Sequence, residues 1–571
     1  MIKCIHILIV LAISTCVFGQ SDATIISDSD RSVEDANRLK IRPTLYDTVI
    51  PSPDMKYPLL VLQEQTSFEL KDIEPATIRH RPQLSQLYNG YAKIGGGSRL
   101  MGLGEVYYNN KRSRKYNWGI HAQHLSEWGQ ISDYAPSQYD RTRVTVFGDI
   151  RERRYSYGGS VKYLNQGLHY YGFENPNASR DSIRQRFNNI GFSGYYVSHV
   201  KDSNQLNYRI GLDYSYFTDR KPGEDTLSKW RAHENYVALT SKWQYNSSNN
   251  KLLANMNADF DILHNDYRYG IADTSIAPLD TGLVRSNTVL QLRPTTTFYG
   301  KDERLKVEFG GELAIDIASR TRATVYPIAE VKYSLFDDLF IPYIGTRGGL
   351  TQQRFQTLAN ENEFINSNIQ LRNLESYNFN FGIKGTLSKR MSFNLGANFS
   401  HNRNVALFAN DTVYSFGNQF RAIYDTINIS TITGSLSYQM NEELRVDGIV
   451  NLHSYKARNN PYAWNLPQLE VILRGKYNVA NKLIVNLDFT LEGGRRALVY
   501  DSTIPNAKEE DGIYFVPLGL IADANLGVEY RYTPRVSFFG NLNNFAAQRY
   551  QRWFNYPVQA FQFMLGASFR F

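Results

Sequence analysis

The sequence predicts an all-β fold: a transmembrane antiparallel β-barrel of about 22 strands behind a short N-terminal arm. Three observations predict it. Apolar and polar residues alternate through most of the 571-residue chain. Short polar breaks and long loops take turns along it. The chain ends on a strand whose every second side chain is apolar or small and whose last residue is aromatic.

Residues 1–19 read as a signal peptide. Met1-Ile2-Lys3-Cys4 precedes an apolar run from Ile5 to Phe18, which is too short to span a bilayer comfortably. Val17-Phe18-Gly19 before Gln20 fits a cleavage site. The rival reading is acylation at Cys16, and Thr15 fits it poorly because small residues are usual there. Both cysteines, Cys4 and Cys16, lie in this segment. The mature chain therefore offers no thiol, disulfide or cysteine metal ligand.

Residues 20–86 are polar and then punctuated by Pro43, Pro51, Pro53, Pro58, Pro75 and Pro82. No helical or strand period persists there. The segment reads as an extended periplasmic arm that docks at the barrel mouth or on a periplasmic or lipoprotein partner. The plainer alternative is a disordered leader.

Residues 87–571 carry the alternation. Tyr377, Phe379, Phe381, Ile383 and Leu387 share one face, while Asn378, Asn380, Lys384 and Thr386 take the other. Val485-Asn486-Leu487-Asp488-Phe489-Thr490-Leu491 repeats the pattern. Ten short polar breaks fall at 109–114, 150–154, 201–205, 246–251, 301–304, 337–338, 388–390, 441–443, 480–482 and 533–535. Longer loops lie between them, among them 174–185, 220–230, 271–285, 356–372 and 500–512. The segment 402–426 is ambiguous and reads as an extracellular excursion. Short turns facing the periplasm and long loops facing outside are the pattern of outer-membrane barrels. With both termini periplasmic, ten such turns imply about 22 strands. A barrel this wide cannot fill its lumen with wall side chains. At its end, Phe561, Phe563, Leu565, Ala567, Phe569 and Phe571 alternate with Gln562, Met564, Gly566, Ser568 and Arg570. The aromatic ending reads as the insertion signal that barrel assembly machinery recognises in the outer membrane.

Composition agrees. The mean hydropathy of −0.43 would suit a soluble protein, yet only alternate residues of a membrane barrel face lipid. The 40 Tyr, 31 Phe and 6 Trp suit aromatic girdles at headgroup depth. The net charge of +8 contains no long basic run, which argues against nucleic acid as a partner. Arg151, Arg153 and Arg154 belong at a periplasmic headgroup boundary. Arg141 and Arg143 share a face with Thr145 and Phe147 and point to the lumen, since a lipid-facing arginine at the midplane costs about 2–4 kcal/mol.

Gly90-Tyr91-Ala92-Lys93-Ile94-Gly95, Lys115-Tyr116-Asn117-Trp118-Gly119-Ile120-His121 and His169-Tyr170-Tyr171-Gly172-Phe173, with the strand count and the ending, resemble the barrels of TonB-dependent receptors. In detail the chain resembles a group of shorter Bacteroidota outer-membrane proteins of that kind. Asp47, Thr48, Val49 and Ile50 are similar to the short box that pairs with TonB as an added strand. The chain departs from the pattern in one respect. Only about 40 residues separate Ile50 from the first strand, too few for the usual plug domain, and this puts gated active uptake in doubt.

No catalytic, cofactor or metal constellation emerges. His121 and His124 are three apart and face opposite sides of a strand. Asp261, His264 and Asp266 read as a loop constellation, and Asp259 with Asp261 and Asp266 as calcium-binding candidates or, more plainly, solvated acids. Gly95-Gly96-Gly97 lacks the Lys-Ser/Thr of a phosphate loop and reads as relief of crowding in a bent first strand. The function expected is solute or ligand binding or transport across the outer membrane. The alternative is a structural or assembly component with an occluded lumen, for biogenesis, secretion or lipoprotein anchoring. An enzyme comes third.

Overall fold

The computed structural model describes residues 87–571, apart from 111–112, 200–205, 221–229, 250–251, 272–282, 301, 319–320, 413–414, 416, 442 and 501. The signal segment, the arm and the box at residues 47–50 lie outside the described residues.

Twenty-two strands form one antiparallel sheet. They begin with β1 (Gly90–Gly97), β2 (Met101–Asn109), β3 (Tyr116–Glu127), β4 (Tyr139–Arg151), β5 (Tyr155–His169), β6 (Arg184–Ser198) and β7 (Leu206–Arg220). They continue with β8 (Trp230–Asn249), β9 (Leu252–Ile271), β10 (Leu283–Tyr299), β11 (Leu305–Ile317), β12 (Thr321–Tyr333), β13 (Ile341–Thr351) and β14 (Leu374–Ser388). Then come β15 (Met391–Asn410), β16 (Phe420–Met440), β17 (Leu444–Ala457), β18 (Leu469–Val479) and β19 (Leu483–Gly493). Three short strands, β20 (Arg496–Val499), β21 (Lys508–Glu510) and β22 (Ile513–Pro517), make a small separate sheet. The barrel resumes with β23 (Ile521–Arg531) and β24 (Val536–Asn543). A two-stranded ribbon, β25 (Gln551–Trp553) and β26 (Tyr556–Pro557), precedes the last strand, β27 (Gln562–Arg570).

Each barrel strand pairs with the next, and β27 pairs with β1, from Tyr91↔Arg570 to Gly97↔Met564. The backbone ladder therefore closes. The Phe571 carbonyl accepts from the Asn89 and Gly90 amides at 2.7 and 3.1 Å. Phe561, Phe563, Leu565, Phe569 and Phe571 all point outward, with 41% to 60% of each exposed. The same parity runs round the barrel. Ile94, Val106, Ile120, Val146, Val161, Ile190, Leu212, Leu239 and Phe260 form an outward apolar belt. At one rim Tyr155, Tyr196, Tyr208 and Trp243 stack in series across β5 to β8. An aromatic row with polar tips suits headgroup depth.

The ten expected short turns all fall at this rim, between consecutive barrel strands. The opposite rim carries the long connections, with two exceptions. Residues 98–100 turn tightly, with Arg99 and Leu100 at φ 58° and 54°, and 318–320 is equally brief. The ambiguous 402–426 segment is mostly strand: β15 and β16 run on past a bulge at Asn402/Val405 and leave only 411–419 as a connection.

Two expectations about acids need correction. Asp259, Asp261, His264 and Asp266 are not in a loop; they lie within β9, because the alternation continues through them. Asp259 and Asp261 meet Arg293 of β10, whereas Asp266 pairs with Arg268 and His264 meets Thr288.

The seam between the ends is close. A Cβ at Gly97 would lie 2.1 Å from the Phe563 carbonyl oxygen, and one at Gly566 2.2 Å from that of Ile94. At Gly96 the nearest atom would be 3.8 Å away. Gly97→Ala and Gly566→Ala should each cost about 1–3 kcal/mol through overpacking at the closure, whereas Gly96→Ala should stay within about 0.5 kcal/mol. Urea unfolding followed by the heat-modifiable gel shift measures all three. An equal loss at Gly96 would refute the close-approach account.

Candidate functional site

The inner wall alternates against the outer one, so its side chains are mostly polar. Arg293 projects from β10 to Asp261 at 2.7 Å and Glu312 at 2.9 Å. Arg322 of β12 and Arg403 of β15 both reach Glu375 of β14, at 2.6 and 3.4 Å. Arg141 and Arg143 alternate with outward Val144 and Val146, which places them on the lumen side as their pattern predicts.

At the long-connection rim a segment of the barrel's own chain folds inward and packs against the wall strands across from it. β12 and β13 pair only from Ile328↔Arg347 to Lys332↔Tyr343. Beyond that point β13 parts from β12 while staying paired with β14 up to Thr351↔Leu374. The Leu350 amide donates to Glu312 Oε1 at 3.0 Å, and the Gln352 side chain donates to the Asn287 carbonyl at 2.9 Å. Residues 352–373 then form an inward lid. Its helix, Phe355–Glu361, has no side-chain cap of its own. Glu234 of β8, 1% exposed, accepts from the Phe355 and Gln356 amides at 2.7 and 2.9 Å and from Asn265 at 3.0 Å. A carboxylate is well placed there, because first-turn amides have no partner within the helix and carry the positive end of its dipole.

The lid's other face is apolar. Phe355, Leu358, Phe364, Ile365 and Ile369 pack against Phe187, Phe217, Tyr267, Phe420 and Tyr556. Phe364 and Tyr556 stack with ring centroids 3.7 Å apart. Each such side chain contributes about 1.5–3 kcal/mol by burial. The polar backbone is also satisfied. Tyr170 donates to the Ile365 carbonyl at 3.2 Å, Tyr267 donates to the Ser367 carbonyl, and the Ser367 hydroxyl donates to Asp219.

Beside the lid lies a cavity of about 270 Å³. Glu363 and Phe364 of the lid form one side of it. The upper ends of β3 to β5, the strands β23 and β24, and the connection before β27 form the rest, including Glu127, Tyr139, Asp523, Asn544, Gln559 and Gln562. Gln562 donates to Glu127 at 3.2 Å, Gln166 to Glu363 at 2.6 Å and Tyr550 to Asp523 at 3.0 Å. Burial pushes the Glu363 carboxyl above the usual carboxylate range, against the pull of the Arg141 charge and the Gln166 hydrogen bond. Three oxygens of residues that line it, Asp523 Oδ1, Asn544 Oδ1 and Gln559 Oε1, are themselves buried with no hydrogen-bond donor. An unsatisfied buried acceptor costs about 1–3 kcal/mol.

The histidines do not gather. His121 faces Glu105 at 2.9 Å on the lumen side, while His124 meets Thr142 on the outer side. Among the described residues no group of three His, Cys, Asp or Glu side chains could hold a metal ion. Neither the lid nor the cavity was found from the sequence. The lid read as a plain loop at 356–372, although Phe355 and Leu358 at helical spacing marked an apolar face. The cavity residues come from distant segments with no common motif.

No protein-family model matches the chain, and no curated protein does. Solved structures do. The fold is that of the outer-membrane receptor barrels. The siderophore receptor PirA from Acinetobacter baumannii superposes with a TM-score of 0.64 at 11% identity, covering 86% of this chain and 81% of that one. The pyoverdine outer membrane receptor FpvA from Pseudomonas aeruginosa gives 0.61 at 14%, covering 85% and 79%. The copper transporter OprC gives 0.60 at 12%, covering 86% and 82%. These neighbours are transport receptors rather than enzymes. At such identities the likeness is one of fold.

The lid's anchorage is testable. Glu234→Ala strands two helix amides and the Asn265 side chain, and should lower the lid's local opening free energy by about 1–3 kcal/mol. Phe355→Ala should lower it by about 3–5 kcal/mol. Hydrogen exchange across 352–373 should rise in both variants, with the neighbouring strands still protected. Unchanged exchange would mean the lid is held by something else.

Proposed function

We propose that the chain is a gated outer-membrane receptor or transport barrel that binds a solute near its long-connection rim. One observation carries the reading: in a barrel of 22 strands one connection, 352–373, packs inward at the rim, with a polar cavity beside it. A passive porin needs no such closure. The apolar belt and the aromatic row support an outer-membrane setting, with membrane lipid as the surrounding partner. The short-turn rim, and both termini with it, then face the periplasm. The outward ladder from Phe561 to Phe571 suits an insertion signal read by the assembly machinery. Energy coupling through Asp47, Thr48, Val49 and Ile50, and a periplasmic or lipoprotein partner for the arm, belong to the same reading, as does an origin among the Bacteroidota.

A second reading has one specific observation in its favour. The lid is glued by an aromatic core, so the occluded lumen also suits a structural component of an outer-membrane complex. Planar-bilayer conductance separates the two. The intact protein should conduct little, and replacing 352–373 with a short glycine-serine linker should raise conductance at least tenfold. A lidless variant that still fails to conduct would favour the structural reading. A freely conducting intact protein would sink the gated one. Deleting residues 47–50 should abolish energised uptake without changing conductance.

A further inference from the structure

At the seam between β12 and β13 the wall overlaps itself. Ile344 and Leu350 share one face of β13. Ile344 points outward, 48% exposed, whereas Leu350 is 7% exposed and packs on Val289, Ala314 and Tyr326. Those three belong to the lumen face of β10, β11 and β12, opposite in parity to the outward Leu292, Leu313 and Val325. The outer face of upper β13 is therefore laid over the inner face of its neighbours. Arg322 of β12 and Glu375 of β14 bond across the same overlap at 2.6 Å. Residues 321–327 of β12 have no strand partner on the β13 side among the described residues.

Side chains stand in for the missing ladder. The Leu350 amide donates to Glu312 Oε1 at 3.0 Å. The Leu350 carbonyl accepts from the Gln291 side chain at 2.5 Å, and Gln291 also donates to Glu312 at 3.1 Å. Both backbone groups of Leu350 thus point away from β14, toward the side where β12 would pair. The register already present, from Ile328↔Arg347 to Lys332↔Tyr343, continues by count to Pro327↔Gly348 and Val325↔Leu350. In that continuation Leu350 extends the outward row of Leu292, Leu313 and Val325, and its amide and carbonyl meet those of Val325. Pro327 falls on a hydrogen-bonded pair and has no N–H to give, which suits a ladder that halts there.

We propose that β13 above Arg347 has two seats, latched on Glu312 and Gln291 as seen here or zipped onto β12, and that zipping withdraws the lid. The two seats exchange like for like. The latch supplies two hydrogen bonds to Leu350, the Arg322–Glu375 pair and a small apolar cluster. The zip supplies two ladder bonds with Val325 and returns Leu350 to the outward belt. Two packings of similar worth are what switching elements are built from. The lid follows because residue 352, its first, is two positions past Leu350. The inference rests on the gated reading and names its moving part.

The test uses the full chain with Cys4→Ser and Cys16→Ser, carrying Val325→Cys and Leu350→Cys. In the latched seat these two positions lie on opposite faces of β12, and no disulfide forms. Zipped, they stand directly opposite, within the roughly 4.4–6.8 Å Cα separation that a disulfide spans. Under copper phenanthroline in micelles the pair should cross-link, at least fivefold faster when Gln291→Ala removes half of the latch. In planar bilayers the oxidised form should conduct at least tenfold more, until dithiothreitol is added. Val331→Cys with Ile344→Cys, already paired in the wall, should oxidise at one rate in both backgrounds and shows that the barrel is folded. Hydrogen exchange needs no cysteine: in Gln291→Ala, 321–327 should gain protection as 352–373 loses it. A Val325–Leu350 pair that never cross-links while the control pair does overturns the zip. Lid protection lost with none gained at 321–327 also overturns it. Equal cross-linking with and without Gln291→Ala overturns the latch. A cross-link that leaves conductance unchanged would reject the gated reading and keep the zip; a conducting lidless variant without any cross-link would reject this inference alone.

Discussion

Closure of the backbone ladder is the constraint on which everything else depends. A strand at hydrocarbon depth has no water for its amides and carbonyls, and each unsatisfied group there costs several kcal/mol. An open sheet would present two such edges. The pairing of β27 with β1 removes both, and the bonds of Phe571 to Asn89 and Gly90 carry it to the rim. This demand explains why glycines sit where β1 and β27 pass closest. It also suits the apolar outward belt, since most of the backbone polar groups behind it are satisfied within the sheet, the upper β12–β13 seam excepted.

Closure at this strand number creates a second demand. Wall side chains cannot fill so wide a lumen, and at the rim the connection between β13 and β14 turns inward over it. The cost is visible where β12 and β13 stop pairing above Ile328 and Arg347. Pro327 stands next to that break, and a proline suits a partly unpartnered edge because it has no amide proton to lose. The gain is the aromatic core under the lid and the carboxylates of Glu234 and Asp219, which accept from the lid's Phe355 amide and Ser367 hydroxyl.

These two demands differ in how clearly they are written in the sequence. The ladder was legible because its period is two and repeats everywhere; Trp118, Ile120 and Ala122 face out while Gly119 and His121 face in, as any short stretch of β3 implies. Turn positions followed from the same periodicity. The lid was not legible, because its partners are far away in sequence: Glu234 caps a helix 121 residues on, and Asn418 reaches the Tyr170 carbonyl across 248. Tyrosine was read as an interfacial residue, which Tyr155 and Tyr196 satisfy. Tyr170, Tyr267 and Tyr556 are instead fully buried under the lid, their hydroxyls spent on backbone carbonyls. Composition counts rings and cannot say which side of the wall they stand on.

The same geometry bears on how a bound solute would leave. The cavity takes Glu363 and Phe364 from the lid and Asp523 and Asn544 from the closing strands and their connection, so swinging the lid away dismantles the site. On the gated reading, a ligand held there would bind the closed form and not the open one. By linkage it must then stabilise closure, by about 2.7 kcal/mol at a hundred times its dissociation constant. On that reading, occupancy alone would lock the lid rather than open it. On that reading, passage inward would need work from elsewhere, applied to the lid or to β13 and β14 that carry it, beside the seam where β12 and β13 are unpaired.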